Sequence, residues 1–188
     1  MDTKRILGFY ITMNTPIDFE HQLASYMELF SNLSMELPDA ISGLASLAVE
    51  TLIAGGKLIL VSDESAECAV KQLCFMLNHS STDQKPELPL IDFRKIHSPT
   101  SGNAGVILNS ITRENDLIIV FTERLENILM ELTPEQTLVI CAAGQNHPTT
   151  PTLALNSQSQ QHWLISLTVI VNHFSQLVEA KLFGAGND

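Results

Sequence analysis

Three short runs of consecutive apolar residues constrain this chain more than any other feature. They are KLILV (57–61), DLIIVF (116–121) and TLVICAA (137–143). A strand wetted on one side alternates polar and apolar residues. A run without that alternation is covered on both faces, as in a parallel sheet held between layers of helix. The stretches between these runs carry helical spacing, and parallel strands need such crossovers. The expected architecture is α/β: a three-layer α/β/α sandwich with a central parallel sheet of about five strands, and with extra helices at the N-terminal end.

The remaining segments fill in that plan. After Pro16 and a capping Asp18, Phe19, Leu23, Tyr26, Met27, Phe30 and Leu33 recur at steps of three and four, predicting a first helix. A second follows Pro38-Asp39 with Ile41, Leu44, Leu47, Ala48 and Leu52 as its stripe, and stops at Gly55-Gly56. Residues 64–79 read as a helix, LPLIDF (88–93) as a strand, 94–104 as a loop, 104–110 and 123–132 as short helices, and TPTLALN (150–156) as an edge strand. Residues 157–182 read as a long final helix. One stripe of it is Leu164, Leu167, Thr168, Val171, Phe174 and Val178, and the other side carries Trp163, Ile170 and Leu177. Apolar residues on most faces predict a helix covered both by its own sheet and by another subunit. Residues 1–16 are weakly patterned and read as a loose arm, with 17–188 as one domain, in keeping with 188 residues.

Charge narrows the function. Ten basic against 21 acidic residues leave a formal charge of −11, which disfavours direct contact with nucleic acid or anionic lipid. Apolar residues make up 45 % and charged residues only 16 %, so a homo-oligomer, dimer or tetramer, is expected to hide some of that surface. Cys68, Cys74 and Cys141 are too few for a disulfide framework and read as buried free thiols. No apolar stretch approaches the ~20 residues of a membrane span and no leader pattern opens the chain, so a reducing cytoplasmic setting is expected. The six histidines show no ligand spacing, so no metal is expected, and no cofactor is implied. SGNAG (101–105) looks superficially like a phosphate loop, but it follows a loop rather than a buried strand. It reads as a turn and a helix start.

Several segments carry a family likeness: ELPDAIS (36–42), TLIAGGKLIL (51–60), KPELPLIDF (85–93), NDLIIVFT (115–122), TLVICAAG (137–144) and SLTVIVNHFSQLVEAKLF (166–183). In these matches and in element order the chain resembles the sugar isomerase (SIS) domain family. Within it, the chain looks most like the phosphoheptose isomerases and the DnaA initiator-associating (DiaA-like) proteins. The resemblance implies a sugar-phosphate site at the carboxyl ends of the strands. It also shows where the chain departs from the pattern. The family's first loop has the form GNGxSA; the corresponding stretch here is Ser62-Asp63-Glu64-Ser65-Ala66-Glu67, with both glycines gone, Ala66 where the Ser would fall and Ser65 one position off. The second loop, Ser/Thr-x-x-Gly-x-Ser, is here Thr122-Glu123-Arg124-Leu125-Glu126-Asn127.

A phosphate needs converging donors and close backbone approach, which glycines permit and acids oppose. The degenerate pocket is then Ser62, Ser65, Thr122 and Arg124, with Arg124 and Lys71 either holding a phosphate or pairing with Glu126 and Glu67. The family's catalytic Glu is replaced in the region of Phe75 and Met76, and its Gln and His by Leu164 and Leu167, with Gln161, His162 and His173 nearby. No catalytic residue is assigned. The resemblance thus implies a non-catalytic binding or scaffold protein with a DnaA-type initiator as partner, and Leu182-Phe183 as an exposed contact or an ordinary helix end. The alternatives are a phosphosugar isomerase acting on a sedoheptulose 7-phosphate type of substrate, and a phosphosugar-binding sensor.

Overall fold

The computed structural model describes residues 19–79, 86–95, 103–123, 137–142, 151–155, 157 and 159–184. Two helices lead: α1 (Phe19–Glu36) and α2 (Pro38–Ile53). There follow β1 (Leu58–Ser62), α3 (Glu67–Asn78), β2 (Leu90–Asp92), α4 (Ala104–Ile111), β3 (Leu117–Thr122), β4 (Thr137–Ala142), β5 (Thr152–Leu155) and α5 (Gln160–Phe183). The five strands form one sheet in the order β2-β1-β3-β4-β5, and every pair is parallel. The three apolar runs are its three central strands. All residues of β1 and β3 are buried, as continuous apolar runs require.

The two faces of the sheet are covered differently. Leu58, Leu60, Leu117, Ile119, Phe121 and Ile140 pack under α2, α3 and α5. Ile59, Val61, Ile118, Val120, Val139 and Cys141 point the other way, onto α4 and Phe93. This is the α/β/α sandwich expected from the strand pattern. Burial pushes the Cys141 thiol up to about 11, so it stays neutral and inert within β4.

Gly55 ends α2 at φ 78°, a conformation glycine adopts without strain. Gly56 then runs so close to the 113–116 turn that a Cβ there would sit 1.9 Å from the Asn115 carbonyl oxygen. That turn is held by Asp116, whose carboxylate accepts from the Lys57 backbone N–H (3.0 Å), the Arg113 N–H (2.7 Å) and the Lys57 ammonium. Together they bring the starts of β1 and β3 side by side.

Several boundaries differ from the sequence expectation, each for a physical reason. β2 pairs only through Leu90–Asp92 because Pro89 has no N–H to give; its carbonyl still accepts from Leu58 (3.0 Å), and Phe93 enters a 3-10 turn. α3 begins at Glu67 rather than near 64, because Asp63 captures Ser65 and Ala66 in a turn. That register leaves Cys68 exposed and Cys74 half-buried while Ala69, Val70, Leu73 and Leu77 face inward, so only Cys141 of the three thiols is buried. On α5 the buried face runs through Trp163, Leu167, Ile170, Val171, Phe174 and Val178, and Leu164 and Thr168 lie outside it. The largest correction concerns α1. Leu29 and Leu33 are buried, but Phe19, Leu23, Met27 and Phe30 are 47–72 % exposed, so most of its apolar stripe faces away from the core. The arm at 1–16, residues 124–132 of the expected helix at 123–132 and Gly144 lie outside the described residues.

Candidate functional site: a filled anion cradle at the strand switch point

In a sheet of order 2-1-3-4-5 the chain leaves β1 towards one edge and returns to the other side of it. The carboxyl ends of β1 and β3 therefore part at a crevice where such folds bind ligands. Ser62 ends β1 and Thr122 ends β3, and the two strands pair up to Ser62 and Phe121. The loops that follow deliver hydrogen-bond donors to a single point.

That point is the carboxylate of Asp63. Its Oδ2 accepts from the Thr122 hydroxyl at 2.8 Å and from the Glu123 backbone N–H at 2.9 Å. Its Oδ1 accepts from the Ser65 hydroxyl at 2.6 Å and from the Ala66 N–H at 3.1 Å. Behind Ser65 stands Trp163 of α5, fully buried, whose indole N–H donates to the Ser65 oxygen at 3.1 Å. Two loops and the start of α3 thus supply four donors to one anionic group, the arrangement by which helix N-termini and hydroxyls hold phosphates and carboxylates. Here the anion is part of the chain.

The neighbouring charges do not offset it. Glu67 sits one turn further on, and its carboxyl is held below the usual range by the hydrogen bond from Lys71 and then by the nearby Arg94 guanidinium. The Lys71 ammonium lies 2.7 Å from Glu67 Oε1 and is raised in turn, and Arg94 lies 3.1 Å from Oε2. Both cations are therefore committed to Glu67. With Glu67 paired to both cations, the uncompensated acids next to the cradle in the chain are Glu64 and Glu123, whose negative charge opposes a further anion.

The residues singled out from sequence are placed as follows. Ser65 and Thr122 meet on Asp63. Ser62 is 1 % exposed, and among the described residues its hydroxyl has no hydrogen-bond partner. Arg124 lies outside the described residues. At the positions of the family's acid–base groups stand an exposed Phe75 stacked on His79 (4.7 Å between rings), a half-buried Met76, an exposed Leu164 and a fully buried Leu167. Gln161 and His162 serve α1 instead: Tyr26 Oη donates to Gln161 Oε1 (3.3 Å), and Ser25 Oγ lies 3.0 Å from His162 Nε2. His173 lines an open apolar groove of about 330 Å³ with Phe30, Leu33, Ile41 and Val169. Among the described residues no His, Cys, Asp and Glu gather as a metal site, and no helix is long and apolar enough to cross a membrane.

Leu182 and Phe183 end α5. Leu182 packs against the core and Phe183 is 41 % exposed, so Phe183 is the outward-facing residue of the pair. Twenty residues of helix separate it from Trp163, a distance of about 30 Å. The cradle and the Leu-Phe end are independent features.

Sequence reasoning counted Asp63 among the acids that repel a phosphate. It missed Asp63 as the acceptor that replaces one. The available signal was the order Asp63-Glu64-Ser65-Ala66 before a helix, in which an Asp side chain can bond the hydroxyl two residues on and the N–H three residues on.

Searches against protein-family models and curated proteins return no match. Solved structures do match. A phosphoheptose isomerase from Francisella tularensis superposes with a TM-score of 0.73 at 15 % identity, over 85 % of this chain and 95 % of that one. This chain has the phosphoheptose isomerase fold. The phosphoheptose isomerase GmhA of Neisseria gonorrhoeae shares the fold too, at 0.69 and 9 % identity, over 86 % of this chain and 96 % of its own. So does a HobA–DnaA (domain I–II) complex from Helicobacter pylori, matched at 0.65 and 15 % identity over 87 % and 91 %. On the phosphoheptose isomerase fold, then, this chain places its own carboxylate at the switch-point crevice.

Proposed function

We propose that this chain is a non-catalytic binding protein built on the phosphoheptose isomerase fold, and that its partner is a DnaA-type replication initiator. The observation that carries the first half is the Asp63 carboxylate on four donors from two loops. A sugar phosphate would have to displace a tethered anion beside two further acids in the chain, Glu64 and Glu123. The absence of a carboxylate or imidazole at Phe75, Met76, Leu164 and Leu167 supports the same reading, since aldose–ketose isomerisation needs a placed acid and base.

The second half is supported by likeness to a protein solved in complex with DnaA domains I–II. It is also supported by the exposed apolar surface. Phe183 at the end of α5 offers an aromatic anchor of the kind that dominates protein interfaces. Phe19, Leu23, Met27 and Phe30 on α1 favour self-association as a dimer or tetramer, which would present several such anchors at once. A net charge of −11 fits a protein that acts through the initiator rather than through DNA.

The test is size-exclusion chromatography with light scattering, using the chain and domains I–II of the DnaA from the same organism. A co-eluting complex is expected, with the chain itself larger than a monomer. Phe183→Ala should weaken the complex about tenfold or more, and Leu182→Ala less. No complex with the parent chain would overturn the partner reading. Full binding by both variants would remove the C-terminal pair as the contact.

A further inference from the structure

The groove beside His173 is used neither by the switch-point crevice nor by the C-terminal pair. It encloses about 330 Å³ between the second half of α1, the start of α2 and the middle of α5. Leu33, Leu37 and Ile41 are buried at its base, and Phe30 and Pro38 stand exposed at its edge. Among the described residues its lining is polar only at Ser34 and His173, and the Ser34 hydroxyl already donates to the Ser31 carbonyl at 2.8 Å. The backbone beside it is equally committed. The Leu37 N–H donates to the Leu33 carbonyl (3.1 Å) and the Ile41 N–H to the Leu37 carbonyl (2.9 Å), which carries the helical ladder across the α1–α2 junction. The groove begins at Phe30, where the exposed stripe of α1 ends, about 16 Å along the helix from Phe19.

Charge decides what fits. The three helices that line the groove carry the acids Glu20, Glu28, Glu36, Asp39, Glu50 and Glu179 against a single base, Lys181. Asp39 stands exposed beside Pro38, at the groove's edge. Lys57, Lys71 and Arg94 lie on other elements and are bound to Asp116 and Glu67. An apolar base under an acidic, cation-poor surface complements apolar side chains flanked by Lys and Arg. Backbone chemistry narrows the partner further. An extended strand would bring N–H and C=O groups to a helical wall that has no edge to pair them, whereas a helix pairs its own. We propose that this groove docks a basic amphipathic helix of a partner protein, with apolar residues at i, i+3, i+4 and i+7 and Lys or Arg on both flanks. The proposal goes beyond the initiator reading and depends neither on Phe183 nor on the crevice.

The experiment is fluorescence anisotropy with a labelled helix-forming peptide of about 14 residues, leucine at i, i+3, i+4 and i+7 and lysine elsewhere. A second peptide carries glutamate in place of every lysine. The full chain is titrated as the parent and as Phe30→Lys, Ser34→Arg and Val106→Lys. Phe30 and Ser34 line the groove, while Val106 is exposed on α4, on the other face of the sheet, and its substitution changes the net charge by the same amount. Saturable binding of the lysine peptide to the parent is expected, with none of the glutamate peptide. Phe30→Lys and Ser34→Arg should each weaken it about tenfold or more, and Val106→Lys by less than about twofold. Should Phe30→Lys lose its helical signal in circular dichroism, Ser34→Arg, at an exposed position, carries the test. No saturable binding to the parent would overturn the proposal. Equal weakening by all three substitutions would also overturn it, since diffuse charge would then be the whole attraction, and so would equal binding of the glutamate peptide. A smaller mass of Ser34→Arg than of the parent in light scattering would give the groove to a second copy of this chain and overturn it too.

Discussion

Trp163→Ala is expected to lower the unfolding free energy by about 3–5 kcal/mol. The indole is fully buried between α5 and the sheet, in the same cluster as Leu60, Ala66, Val70 and Leu167. Its removal leaves a cavity too well braced by β1 and α3 to collapse. It also takes away the donor that fixes the Ser65 hydroxyl on Asp63. Trp163→Phe separates the two effects. It keeps most of the apolar contact and loses the N–H, so about 1–2 kcal/mol is expected. Urea unfolding measures both through the midpoint at constant slope. A Phe variant as unstable as the Ala variant would place the whole effect in the hydrogen bond. An Ala variant within 1 kcal/mol of the parent would contradict the packing described above.

Asp116→Ala is expected to cost about 2–4 kcal/mol at neutral pH. Asp116 is 5 % exposed and accepts from two backbone N–H groups and the Lys57 ammonium, which its loss would leave half-buried without its partner. Burial alone would raise its carboxyl. The Lys57 hydrogen bond, the Arg113 and Lys57 N–H groups and the Lys57 charge together outweigh burial and hold it below its ordinary value of 3.8. A depressed carboxyl contributes stability that is fully present above the unfolded pKa and is lost as pH falls through the folded one. The parent should therefore lose stability from about pH 4 downward, and Asp116→Asn should flatten that limb. An unchanged acid limb in Asp116→Asn would assign the acid sensitivity to other carboxylates.

The sheet was legible from the sequence because its central strands are continuous apolar runs, and few structures other than a buried parallel strand fit five or six such residues between helices. Residues 57–61, 116–121 and 137–143 predicted β1, β3 and β4 to within a residue or two at either end. Helix ends were less legible where a side chain competes with the backbone. The three acids Asp63, Glu64 and Glu67 look alike in sequence, yet only Asp63 turns back on Ser65 and Ala66 and delays α3 by a turn. Faces were misread where two stripes compete. On α1, Leu29 and Leu33 are buried while Phe19, Leu23, Met27 and Phe30 are not, since periodicity shows that a helix has an apolar face but not which neighbour covers it.

The candidate site was half legible. Ser65 and Thr122 were identified by their places after β1 and β3, and both meet at the cradle. Counting charges placed acids there but could not say that one of them is the ligand, because a sum of charges carries no direction. Gln161 and His162 illustrate the reverse. Their identities suit acid–base chemistry, and their bonds to Tyr26 and Ser25 show them tying α1 to α5 instead.

The central claim is that the switch-point crevice is filled by the chain itself. Isothermal titration of the parent protein with sedoheptulose 7-phosphate tests it most directly. The account predicts no saturable heat at millimolar sugar phosphate and no conversion of the sugar. Saturable binding, or any turnover that disappears in Thr122→Val, would contradict it.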